Sequence, residues 1–268
     1  MKRLLKTGLS LITLRRALGF GSFFQSVKFD FHILKPKLEF KSALVLAPHP
    51  DDDVFGMGGT IKKMTSSGTQ VTVAYFCDGS GGVPEGRSES EEVGVLSRRD
   101  ESLILRRKSE AENAAKILGT SKLFFWGYPD GKLAAGTSVI RALQDLIAHV
   151  KPDIIFLPSF LDNHGDHRVV NEIFINAVAK MPEISKTEIW AYEIWTPIFI
   201  NRLVDISLYI KTKGEAITCH QSQLEARGYE KAITGLNQYR AEINKISGHA
   251  EGFFAAPFET YKKLYRKS

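Results

Sequence analysis

The chain has 268 residues, 43% of them hydrophobic and 25% charged, a balance that fits one large globular domain, or one domain with an appendage. No apolar run approaches the roughly 20 residues that a bilayer-spanning helix needs. Two cysteines far apart, Cys77 and Cys219, do not suggest a disulfide framework, so a reducing cytoplasm is the expected compartment. The net charge of +6 is partly concentrated in the first 16 residues and in Lys262, Lys263, Arg266 and Lys267. With no nucleic-acid motif and no basic and aromatic stripe, it reads as basic ends on a mixed-charge body rather than a nucleic-acid surface.

Residues 1–40 read as a basic, aromatic appendage. Leu4, Leu5, Leu9, Leu11, Ile12 and Leu14 recur loosely at helical spacing among Lys2, Arg3, Lys6, Arg15 and Arg16. Such a helix packs on its own domain or a partner subunit, or lies peripherally on an anionic membrane. The same start faintly resembles a signal peptide, but Arg15 and Arg16 cut its apolar run short. Phe20, Phe23, Phe24, Phe29 and Phe31 predict that the following stretch is docked.

From Ser42 strand-like and helix-like patterns alternate. Strands are predicted over 43–47, 70–76, 122–126, 153–157, 188–194 and 204–210, and helices over 58–67, 100–118 (closed by Gly119), 139–150 and 168–181. The last third, from Gly214, is expected to be mainly helical. The segment 78–99, rich in Gly, Ser and Glu, is long for a loop and reads as a mobile lid or disorder. The alternation predicts a Rossmann-like three-layer α/β sandwich with a mostly parallel sheet, whose ligands bind outside the carboxyl ends of the strands.

Two polar clusters fall at such ends. Ala47-Pro48-His49-Pro50-Asp51-Asp52-Asp53 follows the first strand, and Asp162-Asn163-His164-Gly165-Asp166-His167 follows the strand at 153–157. Three adjacent carboxylates repel and raise one another's pKa unless a cation or hydrogen-bond donors hold them. One His and one Asp from the first cluster with one His from the second make three protein ligands and leave a position open for water, as in catalytic zinc sites. A further carboxylate to take a proton and an imidazole to donate one complete the kit for hydrolysing an amide. The plainer alternative is a turn and helix cap at each place, since Asp is favoured in both.

The first cluster with Gly58-Gly59, paired with His164-Gly165-Asp166-His167, resembles the LmbE-like (PIG-L) N-acetylglucosaminyl deacetylases. The resemblance runs from about Lys41 to the C-terminus. Arg107-Lys108-Ser109-Glu110, Tyr128-Pro129-Asp130-Gly131, His220-Gln221-Ser222-Gln223 and Ala250-Glu251-Gly252-Phe253 support it. It implies a hydrolase dependent on zinc, or on another divalent metal in its place, that removes acetyl from an N-acetyl amino sugar or glycoconjugate. Carried onto this sequence, it implies His49, Asp52 and His167 as metal ligands and Asp51 as general base. His164 would be the protonated donor to the oxyanion or leaving amine, Asp166 would orient a histidine, and Arg107 and Asp130 would contact substrate. Asp53 stands where the family more often has Glu, and Gly165 where Pro is usual.

Bland readings accompany several of these residues. Arg107 lies among Arg98, Arg99, Arg106 and Lys108 and fits a solvated helix face as well as a substrate contact. Asp130 fits a turn, His220 and Glu251 fit packing or capping, and Cys77 fits a small buried hydrophobe. Two other functions stay open: an amidase for a different acyl group, and a non-catalytic sugar or nucleotide module whose Gly56-x-Gly58-Gly59 turn receives a phosphate at a helix N-terminus. The expected partner is an N-acetylated sugar or glycoconjugate, with an oligomer or a lipid-linked substrate left open.

Overall fold

A computed structural model of the chain describes residues 33–81, 100–184, 187–225 and 227–268. Residues 1–32 of the expected appendage and residues 82–99 of the expected lid lie outside the described residues.

The chain runs β1 (Ser42–Ala47), α1 (Asp52–Ser66), β2 (Gln70–Cys77), α2 (Glu101–Leu118), β3 (Lys122–Tyr128), α3 (Thr137–Val150), β4 (Ile154–Pro158), α4 (Gly165–Val178), β5 (Glu188–Tyr192), β6 (Arg202–Asp205), α5 (Ile210–Ile217), α6 (Gln221–Leu224), α7 (Tyr229–Ile243), β7 (Ala250–Pro257) and α8 (Phe258–Tyr265). The seven strands form one sheet in the order β3-β2-β1-β4-β5-β7-β6. The first five in that order are parallel to one another, and β7 pairs antiparallel with both β5 and β6.

Alternation along the strands makes the three layers. In β1, Leu44 and Leu46 join the core cluster shared with Leu143, Phe174 and Tyr261 of α3, α4 and α8, while Ala43, Val45 and Ala47 join the one shared with Ile61, Ala114 and Ala216 of α1, α2 and α5. Ile155 and Leu157 of β4 split from Ile154 and Phe156 in the same way. A strand buried on both faces must be apolar throughout, which is why these two read as continuous hydrophobic runs.

Local chemistry sets the boundaries. Asp100 caps α2 by accepting from the backbone N–H groups of Ser102 and Leu103, and Gly119 ends it in the left-handed conformation at φ 79°, a geometry that suits glycine. The described part of the appendage is tied down: Leu34 bridges to Arg202 beside β6, and Leu38 is buried.

Three differences from the sequence reading concern the later elements. The strand expected over 204–210 is β6 at Arg202–Asp205, because Asp205 Oδ1 accepts from Ser207 N and Oγ at 2.9 and 2.7 Å and turns the chain into α5. α4 begins at Gly165 rather than 168, since His164 serves as its N-cap. The C-terminal third is not only helical. β7, with Ala, Gly and Phe in a short apolar run, lacks the β-branched residues that mark strands and is a strand because it fills the gap between β5 and β6.

Candidate active site

The strand order reverses between β1 and β4: β2 and β3 lie to one side, β5 to the other. At that switch point the loops beyond the carboxyl ends diverge and leave a crevice. His49 to Asp52 enter it from β1, Asp130 from β3, and Asp162 to His167 from β4.

The turn after β1 is tight. Asp51 N donates to His49 O at 2.8 Å, and His49 N donates back to Asp52 Oδ2 at 2.8 Å. Asp51 occupies the N-cap position of α1, yet its side chain makes no cap bond. Its Oδ2 instead accepts from Arg107 Nη2 at 3.0 Å, and Arg107 Nη1 donates to Gly79 O at 2.8 Å. Arg107 is only 3% exposed. The solvated-face reading of Arg107 therefore falls, as does the cap reading of Asp51: α2 turns this one guanidinium inward.

Asp52 lies between the two histidines. Its Oδ2 is 3.1 Å from His49 Nδ1 and 3.3 Å from His167 Nε2. The opposite edge of the His49 ring faces two carboxylates, with Nε2 at 3.1 Å from Asp130 Oδ1 and 3.2 Å from Asp166 Oδ2. Asp130 is held in place by Gly81 N on its Oδ2 at 3.2 Å, and Asp166 by Gly131 N at 2.7 Å. His167 Nδ1 donates to Asp162 Oδ2 at 3.0 Å. His164 is half-buried, its ring centroid 4.8 Å from that of His49 and 4.7 Å from that of His167, and its Nδ1 accepts from Asp166 N at 3.3 Å. An accepting Nδ1 puts the ring proton on Nε2.

All eight residues singled out as site residues thus meet in one crevice. Asp53 does not face it: Tyr75 donates its hydroxyl to Asp53 Oδ2 at 3.1 Å under α1. The sequence reading assigned no role to Asp162 behind His167. An Asp five positions before a ligand-type His was the available signal. Asp78 was missed altogether, although its Oδ1 accepts from Asp130 N at 3.2 Å and shapes that loop.

Burial dominates the electrostatics. It pushes Asp51 up to about 6, with Arg107 opposing, and Asp53 up to about 7, with the Tyr75 hydrogen bond opposing. Burial also penalises the charge on Asp52, but His167 and His49 outweigh it and hold that carboxyl well below the usual range. The same carboxylates overcome burial at His49, which is raised well above 6.5, and at His167, raised to about 9. His164 is lowered, by burial and then by the charges of His167 and His49.

This donor set suits a divalent cation. His167 Nε2 is buried and has no hydrogen-bond partner among the described residues, although a carboxylate oxygen lies 3.3 Å away. Two ligand atoms each bonded at 2.0–2.1 Å to a tetrahedral zinc stand about 3.3 Å apart without being aligned as donor and acceptor. Ring nitrogens of His49, His164 and His167 also come within 4.8 Å of one another, as do atoms of His49, Asp130, His164 and Asp166. One edge of the His49 ring is engaged by Asp130 and Asp166, and the other faces Asp52.

A family model described as GlcNAc-PI de-N-acetylase (PIG-L) matches residues 44–178, a span containing both clusters. The chain belongs to the PIG-L family. It is 32% identical over 246 residues to the diacetylchitobiose deacetylase of Thermococcus kodakarensis, covering 86% of this chain and 88% of that one. A probable N-acetyl-α-D-glucosaminyl L-malate deacetylase 2 of Bacillus cereus is 29% identical over 199 residues, covering 69% and 85%. The solved N,N'-diacetylchitobiose deacetylase of Pyrococcus horikoshii superposes with a TM-score of 0.72 at 26% identity, over 91% of this chain and 94% of that one. As a PIG-L protein with deacetylases as relatives, the chain is a hydrolytic N-deacetylase with a His/Asp cluster able to bind a metal ion.

The glycine turn is not the phosphate site of the alternative reading. The backbone N–H groups of Gly59 and Thr60 are taken by the Glu251 carboxylate at 2.9 and 2.6 Å. The glycines serve close packing instead: a Cβ on Gly59 would stand 2.7 Å from the Ile206 side chain, and one on Gly56 2.9 Å from Tyr192 Cε2.

Proposed function

We propose that the protein removes the acetyl group from an N-acetylglucosamine-type amino sugar or conjugate, with one zinc ion held by His49, Asp52 and His167. The observation that carries the metal assignment is Asp52 Oδ2, 3.1 Å from His49 Nδ1 and 3.3 Å from a His167 Nε2 that has no hydrogen-bond partner among the described residues. The substrate class rests on the two deacetylase relatives, both named for N-acetylglucosamine compounds. The catalytic unit is assigned to residues 41–268, with 1–40 as its appendage.

Zinc bound there would supply Lewis acidity toward the acetyl carbonyl and make water acidic enough to attack near neutral pH. The protein groups do the rest. Arg107 fixes the Asp51 carboxylate through Oδ2, leaving Oδ1 to take the proton of the attacking water. An acid near 6 is ionised at neutral pH and still basic enough for that task. His164, with its proton on Nε2, donates to the oxygen that gains charge as the carbonyl becomes tetrahedral. The proton taken by Asp51 returns to the nitrogen as the C–N bond breaks, giving acetate and a free amine. Asp130 and Asp166 brace His49, and Asp130 and Arg107 border the space where sugar hydroxyls would lie.

An amine-release assay over N-acetylglucosamine, diacetylchitobiose and N-acetylglucosaminyl conjugates tests this, with metal content measured in parallel. Chelation should abolish release and zinc should restore it. Zinc-loaded, folded protein that frees no amine from any N-acetyl sugar would remove the substrate class. Full activity in metal-free protein would remove the metal assignment.

A further inference from the structure

α1 is broken at Met57, whose φ of −148° and ψ of 23° are not helical. Such a residue interrupts the i to i−4 ladder, so carbonyls before it and N–H groups after it lose their partners. Here the break lies five residues beyond Asp52, in the fully buried segment between the metal-type ligands and the rest of the helix.

Two side chains from distant parts of the chain repair it. Lys213 of α5 donates Nζ to Phe55 O at 3.0 Å, on the near side of the break. Glu251 of β7 accepts from Gly59 N at 2.9 Å and Thr60 N at 2.6 Å, on the far side. The two join at 2.7 Å, Lys213 also donates to Asn237 Oδ1 of α7 at 2.9 Å, and both side chains are completely buried. Glu251 thus acts as an N-cap for the second segment of α1, where its charge meets the positive end of the helix. Glu251 is therefore a capping group, but for N–H groups 192 and 191 residues earlier in the chain.

A buried ion pair is weak as a stability device, since desolvation offsets most of its attraction. Its placement supplies the missing reason. We propose that Lys213 and Glu251 are positioning residues of the metal site: by joining the two segments of α1 at a fixed angle they hold the Asp51–Asp52 turn against His49 and His167. The first turn of α1 cannot use the rest of the helix as its anchor, because the ladder is cut. Its Phe55 carbonyl is anchored to Lys213 instead. This inference rests on the assignment of His49, Asp52 and His167 as ligands.

The test is zinc affinity by chelator competition, on wild type and on the double variant Lys213→Met/Glu251→Gln. The double variant removes both charges together, so no unpaired buried charge remains, and Gln still accepts one N–H. With folding checked by circular dichroism and by the melting midpoint of the metal-free protein, the expected result is zinc binding weakened roughly 10- to 100-fold, the range for groups that orient ligands. The zinc-saturated variant should lose kcat with little change in KM. Should the double variant not fold, Glu251→Gln alone is held to the same criterion. Wild-type zinc affinity in a folded variant overturns the proposal while leaving the ligand assignment standing. A wild type that binds no metal overturns both.

Discussion

Asp162 Oδ2 lies 3.0 Å from His167 Nδ1 and also accepts from Trp195 N at 3.3 Å. The carboxylate engages Nδ1 and so fixes Nε2 as the edge of the imidazole that faces Asp52 and is left for a metal. Asp162→Ala should therefore weaken zinc binding roughly 10- to 100-fold, although Asp162 is not itself a ligand. Isothermal titration with zinc measures it, and an unchanged dissociation constant would remove Asp162 from the site.

Asp51 Oδ2 is engaged by Arg107, so its roles as base and as ligand separate by experiment. Asp51→Asn should keep zinc and lower kcat by about 10² to 10⁴, the usual contribution of a general base. His49→Ala or Asp52→Ala should lose metal and turnover together. Metal content and kcat, measured on the same preparations, distinguish the two outcomes.

The Arg107 guanidinium opposes the burial that lifts Asp51 to about 6. Without that charge the ionised carboxylate is less favoured and its pKa rises. In Arg107→Gln the acidic limb of the kcat/KM profile should move to higher pH, so the variant loses most at pH 5 to 6 and recovers as pH rises. A limb that stays in place or moves down would show that Arg107 does not set this titration.

His220 is 1% exposed, stands edge-on to Phe55 at 5.6 Å, and neither ring nitrogen has a hydrogen-bond partner among the described residues. Burial, then the Arg107 charge, lowers its pKa from 6.5 to about 3. Between those values the unfolded chain binds a proton that the folded chain refuses, so stability falls as pH falls through that window. From pH 6.5 to 5 the loss is about 2 kcal/mol. His220→Phe should flatten the decline of melting temperature over this range; parallel curves for the two proteins would assign the acid sensitivity elsewhere.

Gly59 packs against Ile206 with no room for a methyl group. Gly59→Ala should destabilise by about 1–3 kcal/mol through overpacking, and thermal denaturation reads it directly. A neutral effect would mean that Ile206 can step aside.

Much of this was legible before any coordinates. Buried strands such as 43–47 announce themselves as apolar runs, and a His/Asp cluster at each of two strand ends states its chemistry in its residue types. What could not be read was carried by contacts between distant residues. Arg107 is one of five basic residues close together in sequence, with Arg98, Arg99, Arg106 and Lys108, and nothing local separates the inward-facing one from the others. Lys213 reads as an ordinary helix lysine until α1, α7 and β7 close around it. β7 itself is defined by its two neighbours rather than by propensity, and Met57 carries no mark of the break it makes.

The insertion of β7 between β5 and β6 has a consequence for how the protein is made. The turn bearing His49 and Asp52 emerges early in synthesis, but Glu251, which closes the break behind it, comes near the end of the chain. Such long-range closure is slow and late in folding. On a ribosome, the crevice would wait without its brace until β7 threads into the sheet, so competence to retain metal would arrive only after that strand has been made.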